Sequence, residues 1–168
     1  GLAALLLAKA APGTLDATTA RKLTGSLVEV AGKAQGVAKA FRRAHGALAS
    51  AGIPAIALKG RALALRAWGN ADWRQSTDVD LLVAESDLKR SLEVLAAAGY
   101  RVGADVDVKF SLAHHHHLAL DDDERGGAPV ELHFRASNEL GVRFDNAALF
   151  ARSRPFDVDG ISVRVLSP

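Results

Sequence analysis

The segment Asp78-Val79-Asp80-Leu81-Leu82-Val83 constrains this chain more than any other, because it sets two acids at the mouth of an apolar run. Side chains alternate along a strand, so residues two apart share a face, and Asp78 and Asp80 are expected to point the same way. Two carboxylates held like this repel each other unless a proton or a cation lies between them. Oxygen donors of this kind suit Mg²⁺ or Mn²⁺. An Asp-x-Asp pair also occurs by chance in turns and calcium loops. The apolar residues behind this one set it apart, since opening a buried strand with two acids is costly unless something uses them.

A third carboxylate on a neighbouring strand would complete such a site. Pro129-Val130-Glu131-Leu132-His133-Phe134 follows a turn rich in Asp and Gly and alternates Glu131 and His133 with Val130, Leu132 and Phe134. It reads as a strand, and Glu131 is the expected third acid. Upstream, Ala55 to Leu58 reads as a short buried strand that passes through Lys59-Gly60 into a helix from Arg61 to Trp68. Such a junction presents free backbone N–H groups and the positive end of a helix dipole, which together suit a phosphate. Between Val83 and Tyr100, Ser86-Asp87 offers a helix cap, Leu88, Leu92 and Leu95 form one face, and Gly99 closes the helix.

With 168 residues the chain has room for one domain with a real core. Lys and Arg number 21 against 19 for Asp and Glu, and the net charge of +2 calls for no polyanion partner. There is no cysteine, so disulfides and thiolate zinc are excluded and metal ligands must be carboxylates or imidazoles. This composition fits the cytoplasm. The apolar run at Leu5-Leu6-Leu7 has no basic segment before it and falls far short of the roughly 20 apolar residues of a membrane helix, so a soluble helix and no membrane are expected. A start at Gly1 and the absence of Met read as a trimmed form of a longer product.

From Thr18 to Ser50, apolar residues at Leu23, Leu27, Val30, Ala34, Val37, Phe41, Ala44 and Leu48 recur in steps of four and three. The pattern predicts one long amphipathic helix, or a pair broken at its glycines, packed on a core. Residues 1–50 are therefore expected to be a helical segment and residues 51–168 a core that continues into a further helical region.

In combination these motifs resemble a known family. Leu58-Lys59-Gly60, Arg74-x-Ser76-x-Asp78-x-Asp80-Leu81, Gly99-Tyr100 and Glu131-Leu132-His133 fall in the order found in uncharacterised nucleotidyltransferases of the polymerase-beta-type superfamily, and are similar to abortive-infection toxins of that group. The likeness runs from about Ala51 to Pro168. It implies an α+β fold, a small mixed sheet flanked by helices, with Asp78, Asp80 and Glu131 holding Mg²⁺ or Mn²⁺. Lys59, Arg74 and Ser76 would contact phosphate, Gly60 would let the loop approach the triphosphate, and Arg61 and Thr77 complete the candidate nucleotide-binding set. The implied reaction moves a nucleotidyl group from a nucleoside triphosphate such as ATP to an acceptor and releases pyrophosphate. The chain departs from the commonest pattern in carrying Lys59-Gly60, followed by Arg61, where a Gly-Ser pair is usual, and in a longer span from Gly60 to Asp78, with Glu131 in place of Asp as third acid.

The run His114-His115-His116-His117 is internal and flanked by Leu112 and Leu118. Read as a strand, it puts His114 and His116 on one face and His115 and His117 on the other. The histidines would be structural, would line the acceptor cleft together with His133, or would bind a metal through one pair; His115 and His117 are the accessory candidates. The acidic run Asp121 to Glu124 is expected to be a solvated turn. Three classes of function stay open. An enzyme would act on a small molecule, peptide, protein or RNA acceptor, a non-catalytic nucleotide-binding module would keep the acids for metal alone, and a toxin-antitoxin-type interaction protein would dock through the long helix. Three converging acids separate the first from the third, and only turnover separates the first from the second.

Overall fold

The computed structural model describes residues 10–11, 14–71, 76–124, 127–137 and 144–167, without the side chain of Leu27. The helix expected around Leu5 to Leu7 and the phosphate candidate Arg74 lie outside the described residues.

Helix α1 (Ala17–Ser50) is one continuous helix of 34 residues. Asp16 caps its start, accepting from the backbone N–H of Thr18 and Thr19 at 2.9 Å each. The break considered at the glycines does not occur. Each glycine costs about 1 kcal/mol relative to alanine, but the C-terminal half buries Val37, Ala40, Phe41, Ala44 and Leu48 against the core. That contact holds the helix, whose first half runs on with most side chains exposed, Val28 at 69%.

Among the described residues seven strands form a single mixed sheet in the order β3-β4-β5-β2-β1-β7-β6. They are β1 (Ile56–Ala57), β2 (Val79–Leu82), β3 (Tyr100–Val102), β4 (His117–Asp122), β5 (Val130–His133), β6 (Arg154–Val158) and β7 (Ile161–Val165). The sheet centre is β2, antiparallel to β1 and parallel to β5. Helix α2 (Arg61–Trp68) follows β1, α3 (Leu88–Ala97) follows β2, α4 (Val108–His114) precedes β4 and α5 (Asn146–Arg152) precedes β6. No helix among the described residues is long and apolar enough to cross a membrane.

The two faces of this sheet differ. On one, Val79, Leu81 and Val83 join Ala57, Val130, Leu132 and Phe134 in a core closed by Phe41 and Leu48 of α1 and Leu88 and Leu95 of α3. On the other the apolar cluster is small, Ile56 and Leu82 packed with Leu149 of α5. Period-two alternation sends Asp80, Glu131 and His133 to this second face.

Three local expectations change. A short 3-10 turn, Glu85–Asp87, precedes α3, and Asp87 makes no side-chain cap. The histidine run is not one strand: α4 ends at His114 and β4 begins at His117, so the run turns a corner and the face assignment by alternation does not apply. The acidic run is not all solvated turn, because β4 extends to Asp122. The Asp122 side chain is only 3% exposed and ion-pairs with Arg43 of α1, whose guanidinium also lies 4.4 Å over the Tyr100 ring. The Tyr100 hydroxyl donates to Ala40 O at 3.0 Å, and burial pushes its pKa up to about 12.

Candidate active site

The register of β2 against β5 builds the site. Asp80 pairs with Glu131 and Leu82 with His133, so two acids and an imidazole stand side by side on the lightly covered face. On β4, His117 pairs with His133 and extends the polar row by one strand. Lys59, on the loop after β1, reaches over this row. Its Nζ lies 2.8 Å from Asp80 Oδ1 and 3.3 Å from Glu131 Oε2. Burial alone would lower the Lys59 pKa, but Asp80, Glu131 and Asp78 together raise it above the ordinary lysine value, so all three predicted acids act on one ammonium.

Asp80 is the most enclosed of the acids, its side chain wholly buried. Burial favours its neutral form, yet hydrogen bonds from His133 and Lys59 outweigh that and hold the carboxyl below the usual range. An ionised carboxylate only accepts, so His133 Nε2, 3.2 Å from Asp80 Oδ1, is the ring nitrogen that carries the proton. His133 Nε2 also lies 3.5 Å from Glu131 Oε2, and His117 Nε2 lies 3.8 Å from Glu131 Oε1. Asp80 Oδ2 is buried and has no hydrogen-bond partner among the described residues.

Asp78 sits one residue before β2 and is half-buried. Ser76 Oγ lies 3.0 Å from Asp78 O and 3.1 Å from Asp78 Oδ1, so its hydroxyl fixes the acid to its own backbone turn. The same Oγ would be 3.2 Å from a Cβ at Gly60, whose φ of 70° is in the left-handed region. Glycine is required there twice over, by conformation and by space. Lys59-Gly60 and Ser76-Asp78, separate in sequence, thus form one contiguous wall. Thr77 is exposed beside them.

Arg61, the first residue of α2, is held elsewhere: its Nη2 lies 2.8 Å and its Nε 2.9 Å from Asp159 Oδ2. Asp159 and Gly160 have φ of 54° and 82° and turn the β6–β7 hairpin. His115 is exposed and stacks edge-on with Phe110. A cavity of about 600 Å³ is walled by Glu85, Arg135, Asn146 and Phe150 and contains none of Asp78, Asp80 and Glu131.

A divalent cation fits the carboxylates. Asp80 Oδ2 is buried without a hydrogen-bond partner among the described residues, and one ligand atom each from Asp80, Glu131 and His133 lie within 4.8 Å of one another. His133 is the residue whose role the sequence hid. Its alternation with Glu131 gave the face, but only the β2–β5 register shows that it holds Asp80.

No curated protein matches the sequence. Among solved structures, the antibiotic-resistance factor ANT(2'')-Ia superposes with a TM-score of 0.53 at 15% identity, over 77% of this chain and 64% of that one. This chain thus spans a little under two thirds of that protein, and the likeness is one of fold. The lincosamide antibiotic adenylyltransferase LnuA gives a TM-score of 0.49 at 12% identity, over 71% of this chain and 73% of that one. The sequence itself matches a family model along its whole given length, residues 1–168, and the chain belongs to that family, the uncharacterised nucleotidyltransferases.

Proposed function

We propose that this chain is a metal-dependent nucleotidyltransferase that moves a nucleoside monophosphate group from a nucleoside triphosphate to an acceptor hydroxyl or phosphate, with pyrophosphate as the leaving group. The observation that carries the reading is the convergence of Asp78, Asp80 and Glu131 on Lys59, next to a glycine turn that opens a helix. Asp78, Asp80 and Glu131 would hold Mg²⁺ or Mn²⁺, which supplies positive charge for the oxygens entering and leaving the α-phosphorus.

The chain's own residues divide the remaining work. Lys59 neutralises Asp80 and Glu131 and, with a cation held by the acids, would turn to the triphosphate. Gly60 keeps the loop low enough for the backbone to approach phosphate oxygens at the start of α2. Ser76 holds Asp78 in position, and His133 holds Asp80. Thr77 and Arg74 are the remaining phosphate candidates, and Arg61 joins them only by releasing Asp159. The acceptor oxygen bonds to the α-phosphorus as the bond to the bridging oxygen breaks, and Glu131 takes the proton a hydroxyl acceptor loses. A site of this kind works through charge and placement. A nucleoside triphosphate substrate is in keeping with a cytoplasmic location.

The test is to incubate the chain with Mg²⁺, each α-labelled nucleoside triphosphate, and pools of small molecules, peptides, proteins and RNA. Labelled acceptor and released pyrophosphate, both lost in Asp78→Ala and Asp80→Ala, support the reading. Product formation that survives both substitutions overturns it.

A further inference from the structure

Beside the carboxylates stands a second cluster, of which nucleotidyl transfer uses only His133. The rings of His116, His117 and His133 form a triangle, with centroids 4.6 Å apart for His116–His117, 5.4 Å for His116–His133 and 5.1 Å for His117–His133. One ring nitrogen from each lies within 4.8 Å of the other two. The corner between α4 and β4 creates the cluster. It releases His116 and His117 from strand alternation, and His116 O accepts from Phe134 N at 3.0 Å and Arg135 N at 3.1 Å, which pins the corner against the end of β5.

The surroundings of two of these rings are independent evidence. His133 Nε2 hydrogen-bonds with Asp80 Oδ1 at 3.2 Å, and His117 Nε2 faces Glu131 Oε1 at 3.8 Å, beyond hydrogen-bond reach. The Nδ1 atoms of both are buried and have no hydrogen-bond partner among the described residues. The His133 side chain is only 5% exposed. In a neutral His133 ring whose Nε2–H is given to Asp80, the lone pair is on Nδ1, and a buried lone pair without a donor is costly unless a cation takes it. An imidazole with one nitrogen on a carboxylate and the other open, as in His133, is the arrangement that orients histidine ligands on zinc.

We propose that His116, His117 and His133 form a second cation site, specific for a borderline-soft divalent ion such as Zn²⁺, alongside the hard oxygen site of Asp78, Asp80 and Glu131. Three imidazoles favour Zn²⁺ over Mg²⁺ and leave one coordination position open. His133 belongs to both clusters, so zinc occupancy fixes the imidazole that holds Asp80. The site stands on its own geometry and does not depend on turnover.

The experiment uses the untagged chain without nucleotide, titrated with Zn²⁺ against a chromophoric chelator, and with Co²⁺ read by its visible spectrum. One ion per chain is expected, undisturbed by excess Mg²⁺, with a tetrahedral Co²⁺ spectrum. His116→Ala and His117→Gln, each checked for native circular dichroism, should weaken Zn²⁺ by at least about tenfold. A paired His114→Ala, His115→Ala variant and Asp78→Ala should bind Zn²⁺ like the parent. Three results overturn the proposal: no stoichiometric uptake, equal weakening in the His114, His115 variant, or loss in Asp78→Ala with retention in the histidine variants. Absence of nucleotidyl transfer, by contrast, sinks the enzymatic reading and leaves these binding results intact.

Discussion

The two faces of β2 carry opposite kinds of residue under one set of backbone hydrogen bonds. Val79 and Leu81 enter an apolar core roofed by α1 and α3, whereas Asp80, one residue away, enters a polar row with Lys59, Glu131 and His133. The first face has every reason to be stable. The second leaves a buried carboxylate oxygen and two buried imidazole nitrogens without partners among the described residues. Stability and chemistry are thus split across the thickness of one strand, and substitutions on alternate residues should separate them.

The largest effect expected is on the polar face. Asp80→Asn should lower nucleotidyl transfer about a thousandfold, roughly 4 kcal/mol of barrier, while the thermal midpoint stays near the parent's. Lys59 is 41% exposed and keeps Glu131, so no buried charge is stranded. A midpoint that falls in proportion to the activity would mean that Asp80 holds the fold instead. On the apolar face, Leu81→Ala should cost about 3 kcal/mol of stability in denaturant melts, with any folded fraction retaining metal binding. Loss of metal binding from the folded protein would erase the distinction between the faces.

Gly60→Ala lies between the two. The positive φ and the contact with Ser76 Oγ should cost about 1–2 kcal/mol of stability, and turnover should fall further because Ser76 positions Asp78. Wild-type turnover in the folded variant would remove the Gly60–Ser76–Asp78 wall from the account.

How much of this was legible follows from which contacts are local. The Asp78-x-Asp80 strand, the β1–α2 junction and the strand that carries Glu131 were readable because two-residue alternation and turn chemistry are short-range. The length of α1 was readable and its continuity was not, because packing of Phe41 and Leu48 outweighs the glycines. The histidine run misled because alternation fails at a helix-to-strand corner. The partner of Arg61 lies 98 residues away, across a hairpin whose Asp159-Gly160 turn was present in the sequence as a signal. His133 on Asp80 needed the register of a parallel pair, which one sequence does not encode locally.

The smallest effect expected is on pH dependence. Burial pushes His45, behind the apolar face, below its ordinary value of 6.5, and the same cause, partly offset by Glu131, lowers His117 on the polar face. Each is neutral in the fold where the unfolded chain takes up a proton, so stability should fall as pH drops below about 6.5. His45→Leu should flatten that slope in part and leave the share due to His117. An unchanged slope would mean that His45 gains a partner on protonation.

The central claim, that the polar face carries out transfer at the α-phosphorus, is tested most directly by the position of the label. Parallel reactions with α-labelled and γ-labelled nucleoside triphosphate and Mg²⁺ should put α-label on the acceptor and γ-label in pyrophosphate, with both signals abolished by Asp80→Asn. Transfer of the γ-label to the acceptor, or α-label transfer that persists without Asp80, would contradict the account.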